Sequence, residues 1–343
     1  MRVRYIAKEK IMDLLQRMKS KAKSKQKTLA LPEGNDLRTL KAAKYVVDEG
    51  LAASVTVLGK EADIQKFASQ EGVNLEGINI LDPVSSPNFE KYAKEYYELR
   101  KHKGLTMEQA KAGITDPLRW ASMMVHIGDA DTLVAGAEAT TADVLRAGLT
   151  IIGMKSGMKT ASSNFILQSQ NRSWGVDGAF IFSDGGVVPD PTQEQLADIA
   201  IASAQSCRDF LDTEPAVALL SFSTKGSGGD HPSILKVREA LAIIKAREPG
   251  LLVDGELQTD AALVPSVTDK KAPGSPLRGR TNVMIFPDIN AANIGIKLAQ
   301  RFGNLDGYGP FLQGFAKPIS DLSRGASVEE IVNTCAITLA QAK

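Results

Sequence analysis

From Thr28 onward, short runs of aliphatic and β-branched residues alternate with longer stretches whose apolar positions recur every three or four residues. TLALPEG (from Thr28), SVTVLG (from Ser54), NILDP (from Asn79) and TLVAG (from Thr132) each read as a short buried strand closed by a turn. VDGAFIFSDGG (from Val176), AVALLSFS (from Ala216), LLVDGELQ (from Leu251) and NVMIFPD (from Asn282) repeat the signal. Helical spacing marks Asp36 to Val47, the segment from Glu61, the charged stretch Asn88 to Lys103, and Ala292 to Arg301. Thr192 and Gln195 stand at capping-box spacing ahead of a further helix. Strands alternating with amphipathic helices predict an α/β fold in which a mainly parallel sheet is covered on both faces. Tyr5 to Met18 has helical spacing as well. It leads into the Lys/Ser run from Ser20 to Lys27, read either as a solvated tether or as a contact for an anionic partner.

Length divides this pattern. A chain of 343 residues exceeds one ordinary core, so two domains are expected, the second opening after Lys155. A formal net charge of +1 excludes a strong basic field, and with it a nucleic-acid partner held by charge. No apolar run reaches membrane-spanning length, and no apolar segment with a cleavage site follows the basic N-terminus. The expectation is a cytoplasmic protein. Cys207 and Cys335 form neither a disulfide framework nor a metal-ligand spacing, and both sit in apolar helical sequence as packing residues. His231, at the start of a helix, is read as a local structural residue.

Three stretches carry candidate chemistry. In KPISDLSRGASVEEIV (from Lys317), a Pro-containing loop delivers Ser323 and Arg324, a glycine turns the chain, and Ser327 with Glu330 reads as a capping box. A hydroxyl, a guanidinium and a helix N-terminus so close together suit anionic oxygens. In AGAEATTADVLRAG (from Ala135), Thr140 and Thr141 offer hydroxyls at a helix start, with Arg146 further along, either as a ligand site or as a plain cap with an exposed arginine. The loop SFSTKGSGG (from Ser221), including Ser223, Thr224, Lys225, Gly226 and Ser227, has the makings of a backbone anion nest. It is neither a Walker A loop nor a GxGxxG turn.

Taken in order, these segments resemble the phosphate acetyltransferases. The likeness runs through LPEGNDLRTLKAA (from Leu31), DPLRWASMMVHIGDADTLVAGAEATTADVLRAGL (from Asp116), SFSTKGS, DGELQTDAALVP (from Asp254), KAPGSP (from Lys271), NVMIFPDINAANIGIKLAQR (from Asn282) and GPFLQGFAKPISDLSRG (from Gly309). It covers nearly the whole chain. The resemblance implies two α/β/α domains of the isocitrate-dehydrogenase-like type facing a cleft, with residues 1–154 plus 303–343 in the first and 155–302 in the second. It further implies a homodimer and the reversible transfer of an acetyl group between acetyl phosphate and coenzyme A. Ser323 and Arg324 match the catalytic pair, and Glu330 stands where the general-base aspartate belongs. Arg100 and Arg146 match arginines that bind coenzyme A, Arg301 matches another cleft arginine, and the Ser223–Ser227 loop lines the same cleft. The change from Asp to Glu at 330 moves the carboxylate by about 1.5 Å, which leaves Glu330 as a base, a helix cap, or both.

These residues allow a direct route. A carboxylate takes the proton of a thiol whose pKa is roughly 8.5, Ser323 orients the sulfur, and Arg324 faces the oxyanion and the departing phosphate. The scheme requires no metal. A phosphate butyryltransferase has the same machinery and a longer acyl pocket, and a non-catalytic acyl-CoA sensor is the alternative from another class. A dehydrogenase would need metal-binding acids, for which Asp254, Asp260 and Asp288 are candidates by residue type alone.

Overall fold

The computed structural model of the chain describes residues 13–343. The helical spacing that begins at Tyr5 therefore lies largely outside the described residues. Within them, eleven strands form one sheet: β1 (Thr28–Leu31), β2 (Ser54–Leu58), β3 (Ile78–Leu81), β4 (Thr132–Ala135), β5 (Ser162–Gln168), β6 (Ala179–Ser183), β7 (Ala216–Leu220), β8 (Leu252–Leu257), β9 (Val283–Ile285), β10 (Asp306–Gln313) and β11 (Ile319–Asp321). Their order is β3-β2-β1-β4-β11-β10-β5-β6-β9-β7-β8. The first five are mutually parallel, and so are the last four. Between them β10 runs antiparallel to β11 and β5, and β5 antiparallel to β6. Strand direction reverses across this central pair, so the carboxyl ends of the two parallel sets leave opposite edges of the sheet.

Alternation along single strands shows why both faces are covered. Leu29 and Leu31 enter one cluster with Leu40, Val46 and Leu339, whereas Ala30 between them enters another with Trp120 and Met123. In β7, Val217 and Leu219 meet Leu196 and Phe210, while Ala218 and Leu220 meet Ala261 and Ile296 on the other face. Such strands read as continuous apolar runs because neither face sees water.

The central pair escaped the sequence reading for a physical reason. β5 is buried along most of its length yet carries Ser162, Ser163, Asn164 and Gln168, and β10 carries Gly307, Gly309 and Pro310, with a register shift between Tyr308 and Phe311. Side chains satisfy many of these polar groups, although Asn164 Oδ1 is buried without a partner among the described residues. Gln313 donates to the hydroxyls of Ser162, Ser183 and Ser203 at 2.9 to 3.0 Å and accepts from Ser206 and Asn164.

The Lys/Ser run is no tether. A helix spans Leu14–Lys25, burying Leu14, Met18 and Ala22 at four-residue spacing. A fully buried Leu or Met contributes about 2 kcal/mol, which is enough to hold a short helix against the body. Lys21 bridges to Asp212 at 2.7 Å, and Lys25 donates to the carbonyls of Ala340 and Ala342.

Candidate active site

Ser323 and Arg324 follow the carboxyl end of β11. Leu322 N–H donates to Ala135 O at 2.8 Å, and Ala326 N–H closes a turn on Ser323 O at 2.9 Å. The helix Val328–Gln341 begins at once with the capping box expected: Glu330 N–H donates to Ser327 Oγ, and Ser327 N–H donates to Glu330 Oε2 at 2.7 Å. Glu330 thus does perform the cap. Arg324 is exposed and forms no ion pair among the described residues, so its charge is available to an anion.

A residue the sequence reading passed over holds this loop. Arg38, in the helix Leu37–Asp48, donates through Nη1 to Arg324 O at 2.8 Å and Ala326 O at 2.9 Å, and through Nη2 to Ala137 O at 3.1 Å. Asp36 fixes the guanidinium from the other side through a bond of 2.6 Å. One planar fork ties together loops that follow β1, β4 and β11.

Ser323 and Glu330 line one small cavity of about 120 Å³, together with Gly307, Gly309, Asp321 and Asn333. Asp321 is 3% exposed and Asn333 9%. Thr141 Oγ1 donates to Asp321 Oδ2 at 2.6 Å, while Asp321 Oδ1 and Asn333 Oδ1 are buried without a partner among the described residues. Burial pushes the Asp321 carboxyl up to about 6; the Thr141 hydroxyl opposes the shift and the nearby Glu33 charge adds to it.

The loop expected to cradle a ligand after β4 already holds a carboxylate. Glu33 accepts the backbone N–H groups of Gly136, Ala137, Glu138 and Ala139 at 2.9 to 3.0 Å. Gly136 has φ +118°, and a Cβ there would lie 2.6 Å from Asp321 Oδ1, so only glycine allows the two loops to meet. Thr140 caps its own short helix, and Arg146 is exposed and paired with Asp143 at 2.8 Å.

The Ser223–Ser227 loop is also organised around a buried acid. Glu256 accepts from Ser223 Oγ at 3.0 Å, from Gly226 N–H at 2.8 Å and from Arg238 at 2.9 Å. Burial alone would raise the Glu256 carboxyl, but Arg238 and these donors overcome it and hold it at about 2. Lys225 pairs with Asp254, and Gln258 N–H donates to Thr224 Oγ1 at 2.9 Å. The loop follows β7, so it leaves the sheet at the edge opposite Ser323. Arg301 stands in the last turn of the helix Ile289–Phe302, shortly before Gly307 of the cavity wall. Arg100 ends the helix Phe89–Arg100 and is half-buried; neither it nor Arg146 lines the cavity.

The model of the phosphate acetyl/butaryl transferase family matches residues 13–339. The chain belongs to that family. The phosphate acetyltransferase of Treponema pallidum is 53% identical over 332 residues, covering 96% of this chain and 99% of its own length. That of Thermoanaerobacterium thermosaccharolyticum is 47% identical, covering 97% and 100%. Among solved structures, the EutD phosphotransacetylase from Staphylococcus aureus superposes with a TM-score of 0.88 at 39% identity, covering 96% of this chain and 98% of its own. A 4-hydroxythreonine-4-phosphate dehydrogenase from Salmonella typhimurium, at 13% identity and a TM-score of 0.55, shares the fold alone, in line with the dehydrogenase-like architecture expected.

The acids that a dehydrogenase would gather are dispersed in this family member. Asp254 pairs with Lys225, Asp260 with Lys271, and Asp288 caps a helix. His231 caps the helix Pro232–Arg247. Cys207 and Cys335 are fully buried, and burial pushes each thiol up to about 12, which keeps it out of thiolate chemistry. No described helix is long and apolar enough to cross a membrane.

Proposed function

We propose that this protein transfers an acetyl group reversibly between acetyl phosphate and coenzyme A by direct thiolate attack. The observation that carries the reading is one cavity shared by Ser323 and Glu330, with the Arg324 guanidinium, which forms no ion pair among the described residues, exposed on the same loop. In the proposed reaction Ser323 orients the sulfur, and Arg324 stabilises the oxyanion and the leaving phosphate, where a preorganised donor is worth most. Glu330, at the motif position of the base, is the first candidate to take the thiol proton. Arg100, Arg146, Arg301, Thr140, Thr141 and the Ser223–Ser227 loop are assigned to substrate binding, as the family motifs suggest. No metal enters this scheme.

Acetyl rather than butyryl transfer is favoured by the relatives. Those at 41–53% identity are named phosphate acetyltransferases, whereas a branched-chain phosphotransacylase from Enterococcus faecalis is only 18% identical. We further assign a homodimer in the cytoplasm, whose contact face includes Ile294, Leu298 and Phe302, exposed at four-residue spacing along one helix face. The deciding experiment incubates purified protein with acetyl phosphate, with and without coenzyme A. Phosphate release and acetyl-CoA formation only when both are present is expected. Ligand binding with no acetyl-CoA formed would favour the sensor instead.

A further inference from the structure

A second and larger space lies at the other end of β11. It measures about 940 Å³ and takes in Asp131 and Pro318, which stand just before β4 and β11, whereas Ser323 follows β11. None of the residues assigned above to acetyl transfer lines it. One wall comes from the turn ahead of β5 and the link from β10 to β11. The other comes from the helix Gln193–Leu211 and the link that joins the helix Pro232–Arg247 to β8. A space of this size suits an organic molecule, since ligand sites run to roughly 300–1,000 Å³ and a bare phosphate would leave most of it empty.

The turn Lys155–Met158 supplies donors to it. Met158 N–H donates to Lys155 O at 3.0 Å, and Gly157 has φ +81°, the backbone that glycine provides at the third position of a type II turn. The amides of Ser156 and Gly157 and the Ser156 hydroxyl have no hydrogen-bond partner among the described residues. Lys155 is exposed and forms no ion pair among them. From the other wall, Arg247 donates through Nη2 to Gly157 O at 3.0 Å and through Nη1 to the buried Asp198 at 2.7 Å. Asp198 also accepts Lys159 N–H at 3.1 Å, so one acid fixes both the arginine and the turn. The rest of the Arg247 fork is unused by any partner among the described residues.

The lining as a whole carries five basic and three acidic residues. Asp131 is engaged by Thr28 and Lys27, and Asp209 accepts from Gln205, which leaves Glu248 as the acid of the lining without a partner among the described residues. Half-buried Met158, Ile201 and Leu251 add apolar surface. We propose that this cavity binds a phosphate monoester of nucleotide size, its phosphate at the Lys155–Ser156–Gly157 turn beside Arg247 and its base against Met158, Ile201 and Leu251. An ammonium, a hydroxyl, two amides and a guanidinium suit the several acceptor oxygens of a phosphate better than the two of a carboxylate. The apolar side chains suit a flat base better than a sugar alone.

The test is calorimetric titration of the full chain with AMP, with and without coenzyme A present. AMP should bind equally in both conditions. Inorganic phosphate, which leaves the apolar wall uncovered, should bind at least about tenfold more weakly. Lys155→Glu, at an exposed position, should melt as the wild type does and bind AMP at least about tenfold more weakly. No saturable binding at millimolar AMP, an affinity unchanged in Lys155→Glu, or displacement of AMP by coenzyme A overturns the assignment. So does inorganic phosphate binding as tightly as AMP. If Lys155→Glu does not fold, Ser156→Trp decides: an indole at this exposed lining position should block the cavity, and an unchanged affinity counts against the proposal. Binding is read without turnover, so a protein that bound AMP here yet transferred no acetyl group would lose the acyl-transfer reading and keep this one.

Discussion

Arg38 and Arg324 are joined through the backbone: the Arg38 guanidinium donates to the Arg324 carbonyl at 2.8 Å while the Arg324 side chain is exposed. One arginine builds the loop and the other is presented by it. Replacing Arg38 by Lys keeps the charge but loses the fork that reaches Arg324, Ala326, Ala137 and Asp36 together. Arg38→Lys is expected to lower kcat about tenfold or more through misplacement of the loop. Its affinity for coenzyme A, measured by calorimetry, should change far less.

Arg324→Ala removes the group proposed to face the developing charge. Turnover should fall about 100- to 1,000-fold, the range for loss of one oxyanion donor, with the melting temperature unchanged because the side chain forms no ion pair among the described residues. Steady-state kinetics and a thermal scan check both halves. Unchanged turnover would take Arg324 out of the chemistry.

Glu330→Gln retains an oxygen for Ser327 N–H, so the cap survives and stability should stay within about 0.5 kcal/mol of wild type. Glu330→Ala removes the reciprocal bond and should cost about 1 kcal/mol. Comparing the two by urea denaturation separates capping from any effect on rate.

Glu256 gives a pH dependence whose sign is fixed by its depressed carboxyl. Its folded value of about 2 lies below the unfolded value, so its contribution is complete above the unfolded value and is lost as pH falls through about 2. Glu256→Gln should therefore melt lower than wild type at pH 7, and the gap should close progressively on acidification. A gap that stays constant between pH 7 and pH 3 would contradict this account.

The exposed row Ile294, Leu298 and Phe302 should be covered in solution. Leu298→Glu with Phe302→Glu is expected to shift the light-scattering mass from two chains to one. A double variant with the parent mass would place the contact elsewhere.

Much of this was legible in the sequence, and the exceptions have physical causes. The parallel strands announce themselves because both faces are dry, and the capping boxes at Thr192 and Ser327 follow from hydroxyl and carboxamide or carboxylate spacing. β5 and β10 did not, since buried Asn164, Gln313 and Ser162 are linked by hydrogen bonds across the sheet, a pairing no local pattern reveals. Ser323, Arg324 and Glu330 were found because they are contiguous. Arg38, Glu33 and Asp321 were passed over: the first two act on residues about a hundred or more positions away, and Asp321 matters through a depth that a single letter does not carry.

The antiparallel ladder through β10 and β5 has a mechanical corollary. Hydrogen bonds link the two parallel sets edge to edge, so they are not beads on a linker and cannot part without breaking sheet pairing. Relative movement of the two halves must be taken up as torsion in that antiparallel pair, with the irregular step between Tyr308 and Phe311 as its most compliant point. That step adjoins Gly307 and Gly309 in the wall beside Ser323, so twisting the sheet changes the width of the cavity that Ser323 and Glu330 share.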